Sequence, residues 1–150
     1  MSLVQSGMGG LWSDDARIDD VAYGYKTRNQ HMAQEQLIDQ GFLYFGCVAF
    51  KGQKQPTDTA YSARFLTEVV DVVTTSGDQT GVAPSVDKVR LIKTAIRDFP
   101  LAVASGMTPE NVSRYLPYVD CFLVNTSLCV PGTERFDPER VKAFSEQLNQ

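Results

Sequence analysis

Four times along this 150-residue chain, a short apolar run gives way to a small polar loop and then to apolar residues at helical spacing. The runs cover residues 41–51, 69–75, 101–104 and 121–126. They are nearly unbroken rather than alternating apolar with polar, as expected of parallel strands covered on both faces. Repeated strand–helix alternation implies a parallel α/β sheet with right-handed crossovers. Two architectures satisfy it: an open parallel, doubly wound sheet, or half of a (β/α)8 barrel, since a whole barrel takes roughly 250 residues. In both, ligands bind at the C-terminal ends of the strands.

The sharpest unit runs from Pro100 to Val112. Pro100 bars the preceding helix from continuing, and Leu101 to Ala104 form the strand. Ser105-Gly106 turns the backbone and leaves its amides uncovered by bulky side chains. Thr108 is a good N-cap and Pro109 suits a first helical position, so a helix carrying Val112, Tyr115 and Leu116 is expected here. The other units follow the same order. Thr57 or Asp58 caps a helix through Ala60, Ala63 and Leu66. Ser85 caps one with Val89, Ile92, Ala95 and Ile96 on one face. Asp137-Pro138 opens the last helix, which is expected to bury Val141, Phe144 and Leu148.

Upstream, residues 1–15 read as an irregular arm pinned by Trp12, and residues 16–38 as a helix with Ile18, Val21, Ala22 and Tyr25 on one face. All 150 residues are read as a single domain. A net charge of −4 and the absence of a basic cluster argue against a nucleic-acid partner. No apolar run approaches the roughly 20 residues of a membrane span, and the start of the chain lacks the regions of a secretory signal. Three cysteines without C-x-x-C spacing argue against a disulfide framework and a zinc site. Cys47 and Cys121, inside apolar runs, are expected to be buried thiols, and a cytoplasmic location fits. No dinucleotide or P-loop fingerprint and no metal-ligand cluster is present, so no cofactor and no metal are assigned.

The chemistry-bearing residues collect in the loops after the strands. Ser105, Gly106 and Met107, with Asn125, Thr126 and Ser127, can surround a phosphate with amides and hydroxyls; in a barrel these would be loops 7 and 8, where phosphate sites are commonly built. Ser76, Gly77, Thr80 and Gly81 form a further candidate ligand-binding loop. Lys51 closes the first run and would project over the same mouth as an anion partner or acid/base. Asp78 is the carboxylate among these loops, either a general base or a turn former. The sole histidine, His31, lies in a polar segment and reads as a surface residue. Asp71 and Asp120 precede strands, at the end of the sheet associated with stability.

Taken together, three segments resemble the BtpA family of barrel proteins, which includes a photosystem I biogenesis factor. They are Asp71…Gly77-x-x-Thr80-Gly81, Ala104-Ser105-Gly106-Met107-Thr108-x-Glu110-Asn111-Val112, and Phe136-Asp137-x-x-Arg140-Val141. The resemblance runs from about Leu11-Trp12 to the C-terminus and implies the C-terminal half of a (β/α)8 barrel, strands 5 to 8. Three positions depart from the pattern: Cys47 stands where the family usually has an acidic residue, Asn125 where it has Gly, and Cys129 where a Lys often follows. The function implied is binding of a small phosphorylated metabolite, such as a sugar phosphate or phosphoribosyl compound, with no reaction named. The alternative is a non-catalytic interaction or assembly protein on a degenerate half-barrel scaffold, which the departures favour.

A half barrel leaves the outer edges of its first and last strands open, which is an aggregation hazard. Phe42, Tyr44 and Phe45 on the first strand would need cover. The expected partners are a second copy of the chain (a homo-oligomer, dimeric) or a second half-barrel, with the N-terminal helix as another possible cover.

Overall fold

The protein was analysed as a computed structural model that describes residues 9–14 and 43–149. Five parallel strands form one sheet in sequence order: β1 (Gly10–Ser13), β2 (Leu43–Cys47), β3 (Val72–Ser76), β4 (Leu101–Ala104) and β5 (Cys121–Leu123). With its alternating helices this sheet makes a curled half-barrel. The helices are α1 (Thr59–Leu66), α2 (Val86–Ile96) and α3 (Pro138–Leu148). The expected helix over 16–38, His31 and Phe42 lie outside the described residues.

β1 replaces part of the expected irregular arm. Gly10 to Ser13 pair in parallel with Leu43 to Gly46. GLWS has no strand pattern of its own; the unpaired edge of β2 supplies the ladder bonds that order it. The edge that was expected to need a partner is therefore covered from within the chain, and Tyr44 is buried.

The run expected over 41–51 pairs only as far as Cys47, because Ala49 turns out of the sheet at φ +50°. Val69 and Val70 belong to the turn that closes α1, where both amides donate to the Leu66 carbonyl. β4 matches its expected span, Leu101–Ala104.

The helix expected after β4 is absent. Only a three-residue 3-10 turn forms, Val112–Arg114. Asn111 Oδ1 accepts from the Thr108 amide at 2.9 Å, which draws the segment into a side-chain-closed turn. Pro117 then bars helical continuation, having no N–H and a ring that clashes with the preceding turn. The last run also ends early: Asn125 breaks away (φ −148°, ψ −89°) and a 3-10 turn, Thr126–Leu128, follows.

Two caps match their expectations: Ser85 Oγ accepts from the Lys88 amide, and Asp137 Oδ1 from the Glu139 and Arg140 amides. Asp58 caps α1 by accepting from the Tyr61 amide. α3 buries Phe144, packed edge-on against Phe122 with centroids 6.0 Å apart, but leaves Val141 and Leu148 exposed. Cys121 is half-buried rather than buried; Cys47 and Cys129 are buried, and none of the three forms a disulfide.

The main core lies between sheet and helices, around Val73, Leu101, Val103, Val89, Ile92, Leu66 and Val112. On the opposite, concave face Cys47, Phe50 and Ala104 form a second apolar cluster with Leu123 against it.

A two-way clamp repeats at the N-terminal ends of the strands. The Asp71 amide donates to the Tyr44 carbonyl at 3.0 Å while Asp71 Oδ2 accepts from the Tyr44 amide at 2.7 Å. Asp120 does the same with Leu101, at 2.9 Å in both directions. Lys93 joins the second clamp, donating to Asp120 Oδ2 at 2.8 Å and to the Phe99 carbonyl at 3.0 Å. Burial pushes the Asp120 carboxyl up, but the bonds from Lys93 and Leu101 outweigh it and the net shift is downward.

Asp120→Ala is expected to destabilise the fold by about 1–2 kcal/mol at neutral pH, the value of a charge-assisted bond discounted for the carboxylate's exposure. Because the folded-state pKa lies below the unfolded one, this contribution is complete above about pH 5 and fades as pH falls below about 4. Urea unfolding of both proteins should give a difference at pH 7 that shrinks at pH 3.

Candidate functional site

At the opposite end of the sheet, the loops after β2, β3 and β4 are locked together by close backbone approach. A Cβ on Gly77 would lie 2.1 Å from the Val82 carbonyl oxygen, and one on Gly106 (φ +70°) 2.1 Å from the Ala83 amide nitrogen. Neither position has room for a side chain. Both glycines pack on the same return segment of the β3 loop, and Tyr115 Oη, donating to the Pro84 carbonyl at 2.7 Å, fixes that segment from the core side.

Lys51 and Ser105 meet in this mouth. Lys51 Nζ donates to Ser105 Oγ at 3.0 Å, crossing above β3 to do so. The Lys51 amide donates to Ser76 Oγ at 2.9 Å, and the Ser76 hydroxyl donates to the Gly77 carbonyl at 2.8 Å. The ammonium stands 5.4 Å from the centroid of the Phe50 ring. Its other protons and the Ser105 hydroxyl proton engage nothing among the described residues. The same is true of the Gly106 and Met107 amides. Ser105 holds φ +74° and Ala49 φ +50°, two non-glycine residues in the left-handed region, both at this end of the sheet. Strain of this kind concentrates at functional sites.

Lys88, in the first turn of α2, was not among the residues singled out from sequence. Its Nζ donates to the Ala49 carbonyl at 2.5 Å and to the Ser76 carbonyl at 2.8 Å. Burial lowers its pKa, and the Asp78 charge offsets part of that effect. Lys88 therefore ties the strained end of β2 to β3 and holds the loop that carries Lys51. A cation in the first turn of a helix runs against the helix dipole, and this is the signal that could have found it.

The loops after β4 and β5 are joined by a second set of contacts. Ser127 Oγ donates to the Met107 carbonyl. Arg140, from the first turn of α3, donates through Nε to the Ser127 carbonyl at 2.6 Å and pairs with Glu110 at 3.5 Å. Bonds from Thr108 and from backbone, with Arg140, hold the Glu110 carboxyl below its usual range. Asn111 Nδ2 donates to the Gly106 carbonyl at 2.8 Å and so braces the turn.

The remaining predicted residues lie apart. Asp78, Thr80 and Gly81 are exposed on the outer arc of the β3 loop, where the Val82 amide closes a turn on the Gln79 carbonyl and Gly81 adopts φ +80°. Asn125 and Thr126 are exposed, and Cys129 Sγ lies 3.4 Å from Asn125 Oδ1. Among the described residues no group of His, Cys, Asp and Glu side chains could hold a metal, and no helix is long and apolar enough to cross a membrane.

The BtpA family model matches residues 50–150, a later start than the Leu11-Trp12 suggested by the motifs. No curated protein matches the chain. Among solved structures, phosphoribosyl anthranilate isomerase from Thermus thermophilus is similar with a TM-score of 0.57 at 11% identity, over 76% of this chain and 54% of that one. N-(5'-phosphoribosyl)anthranilate isomerase from Pyrococcus furiosus gives 0.53 at 18% identity, over 79% of this chain and 57% of that one. The chain spans about half the length of these structures. At such identities the likeness concerns the fold.

Close packing and backbone conformation separate two glycines here. Gly106→Ala should cost about 2–4 kcal/mol, strain plus overpacking. Gly52→Ala, with φ +73° but nothing within 4 Å, should cost about 1 kcal/mol from conformation alone. Equal losses in denaturant unfolding would refute the close approach at Gly106.

Proposed function

The chain belongs to the BtpA family, and from that premise we propose that it binds a small phosphorylated metabolite, a sugar phosphate or phosphoribosyl compound, at the C-terminal ends of its strands. The observation that carries this reading is the Lys51–Ser105 contact beside the unengaged amides of Gly106 and Met107. An ammonium, a hydroxyl proton and backbone amides on adjoining strand-end loops are the donor types that complement a phosphate monoester. Ser127 acts on this donor set indirectly, its hydroxyl holding the Met107 carbonyl from the adjoining loop. Both solved neighbours are named for a phosphoribosyl compound, which supports the ligand class.

Lys51 neutralises the bound phosphate and is the candidate to carry a proton. Asp78, exposed and coupled to Lys88, is given no contact with the ligand. Three cysteines outside any disulfide suit a reducing compartment such as the cytoplasm.

Thermal unfolding with inorganic phosphate, sulfate and ribose 5-phosphate tests the reading. A ligand at a hundred times its Kd stabilises by about 2.7 kcal/mol, a rise of roughly 5–10 °C for a chain of this size. Ser105→Asp and Lys51→Met should each abolish the rise. No rise with any of the three compounds moves the assignment to the interaction scaffold.

The open edge of β5 belongs to the same reading. Cys121, Phe122 and Leu123 are half-buried, and no described strand pairs with their outer side. We assign this edge to a second half-barrel, supplied by another copy of the chain. Light scattering should then give a mass rising with concentration toward twice 16.6 kDa; a single-chain mass throughout would exclude self-pairing.

A further inference from the structure

Trp12 is the one tryptophan of the chain, and 44% of it is exposed although it projects on the same sheet face as the buried Cys47. It stands in β1 opposite Phe45. Its indole N–H donates to Cys47 Sγ at 3.2 Å, and its ring meets the Phe50 ring edge-on with centroids 5.8 Å apart. Those two contacts fix the indole by its rim and leave ring surface open to solvent. Exposing so large an apolar group costs burial free energy that the fold could have recovered by turning it inward.

What lies next to it gives the exposure a meaning. Phe50 is fully buried and carries the Lys51 ammonium over its ring, and that ammonium reaches Ser105. Trp12, Phe50, Lys51 and Ser105 form an unbroken row from the end of β1 to the donors after β4. One end of the row is an indole held in place, and the other is built for an anion. A ligand lying across this end of the sheet would set a phosphate against Lys51 and Ser105 and a planar ring against Trp12.

We propose that the ligand is a ring-bearing sugar phosphate whose ring stacks on Trp12. This rests on the phosphate reading above and adds the chemical class of the ligand's other end. Stacking of a planar ring on an indole face contributes about tenfold or more in affinity.

Because Trp12 is the sole tryptophan, fluorescence excited at the red edge of the absorption band, beyond the six tyrosines, reports on it alone. Titrations with inorganic phosphate, ribose 5-phosphate, and uridine and adenosine 5′-monophosphates are read by quenching, and by thermal shift as an independent measure. The nucleotides should bind about tenfold more tightly than ribose 5-phosphate and quench Trp12. Trp12→Ala should remove that advantage while leaving ribose 5-phosphate binding unchanged, and Trp12→Phe, which keeps a ring, should retain most of it. Equal affinity for ribose 5-phosphate and both nucleotides, or an advantage that survives Trp12→Ala, overturns the ring assignment alone. Absence of binding by every phosphate compound overturns the phosphate reading and this proposal together.

Discussion

The loops at the C-terminal end of the sheet depend on a contact between backbones. Gly77 and Gly106 press against Val82 and Ala83 at distances that no side chain could share. That approach folds the loop after β3 back over the strand ends, and Pro84 is then held from below by Tyr115. The return segment leads directly into α2, whose first turn delivers Lys88 to the Ala49 and Ser76 carbonyls. Lys88 in turn stabilises the left-handed Ala49, and the chain leaving Ala49 puts Lys51 within reach of Ser105. A methyl group on Gly106 would therefore disturb a lysine that it never touches.

The two ends of the sheet are stabilised in different ways. At the N-terminal ends, Asp71 and Asp120 each exchange two hydrogen bonds with the neighbouring strand in relaxed geometry. At the C-terminal ends the backbone is strained at Ala49 and Ser105, and the amides of Gly106 and Met107 find no partner among the described residues. Net stability is a small difference between large terms, so unsatisfied donors and strain at one end require firm anchoring elsewhere. The repeated carboxylate clamp supplies part of that anchoring, and the division agrees with the roles of the two faces in barrel folds.

β4 was legible to the residue because punctuation brackets it: Pro100 stops what precedes, and Ser105-Gly106 turns the chain after it. β1 was not, since Gly10–Ser13 becomes a strand only because β2 offers an edge. The helix expected after Thr108 failed for a reason present in the sequence, the proline at 117, and for one that was not, the capture of the Thr108 amide by Asn111. Lys51 and Ser105 were each identifiable at a strand end, but 54 positions separate them, and only the sheet order brings one over β3 to the other. Lys88 was hidden because a lysine on a capped amphipathic helix looks like a solvated residue.

The family-like segments gain a physical meaning once their residues are seen together. Asp137 caps α3 and sets Arg140 in its first turn, where the guanidinium holds the Ser127 carbonyl and pairs with Glu110. Asn111 braces Gly106 from within the preceding loop. Segments some 30 residues apart in sequence thus couple two strand-end loops, with Arg140 as the link. The departures fit the same picture. Asn125 and Cys129, where the resemblance implies glycine and lysine, lie against each other, thiol to amide oxygen at 3.4 Å. Cys129 brings no positive charge to the β5 loop, and Arg140 is committed to Glu110 and Ser127. Lys51 is the cation that stands in the mouth itself, where its ammonium donates to Ser105 and, among the described residues, makes no other hydrogen bond.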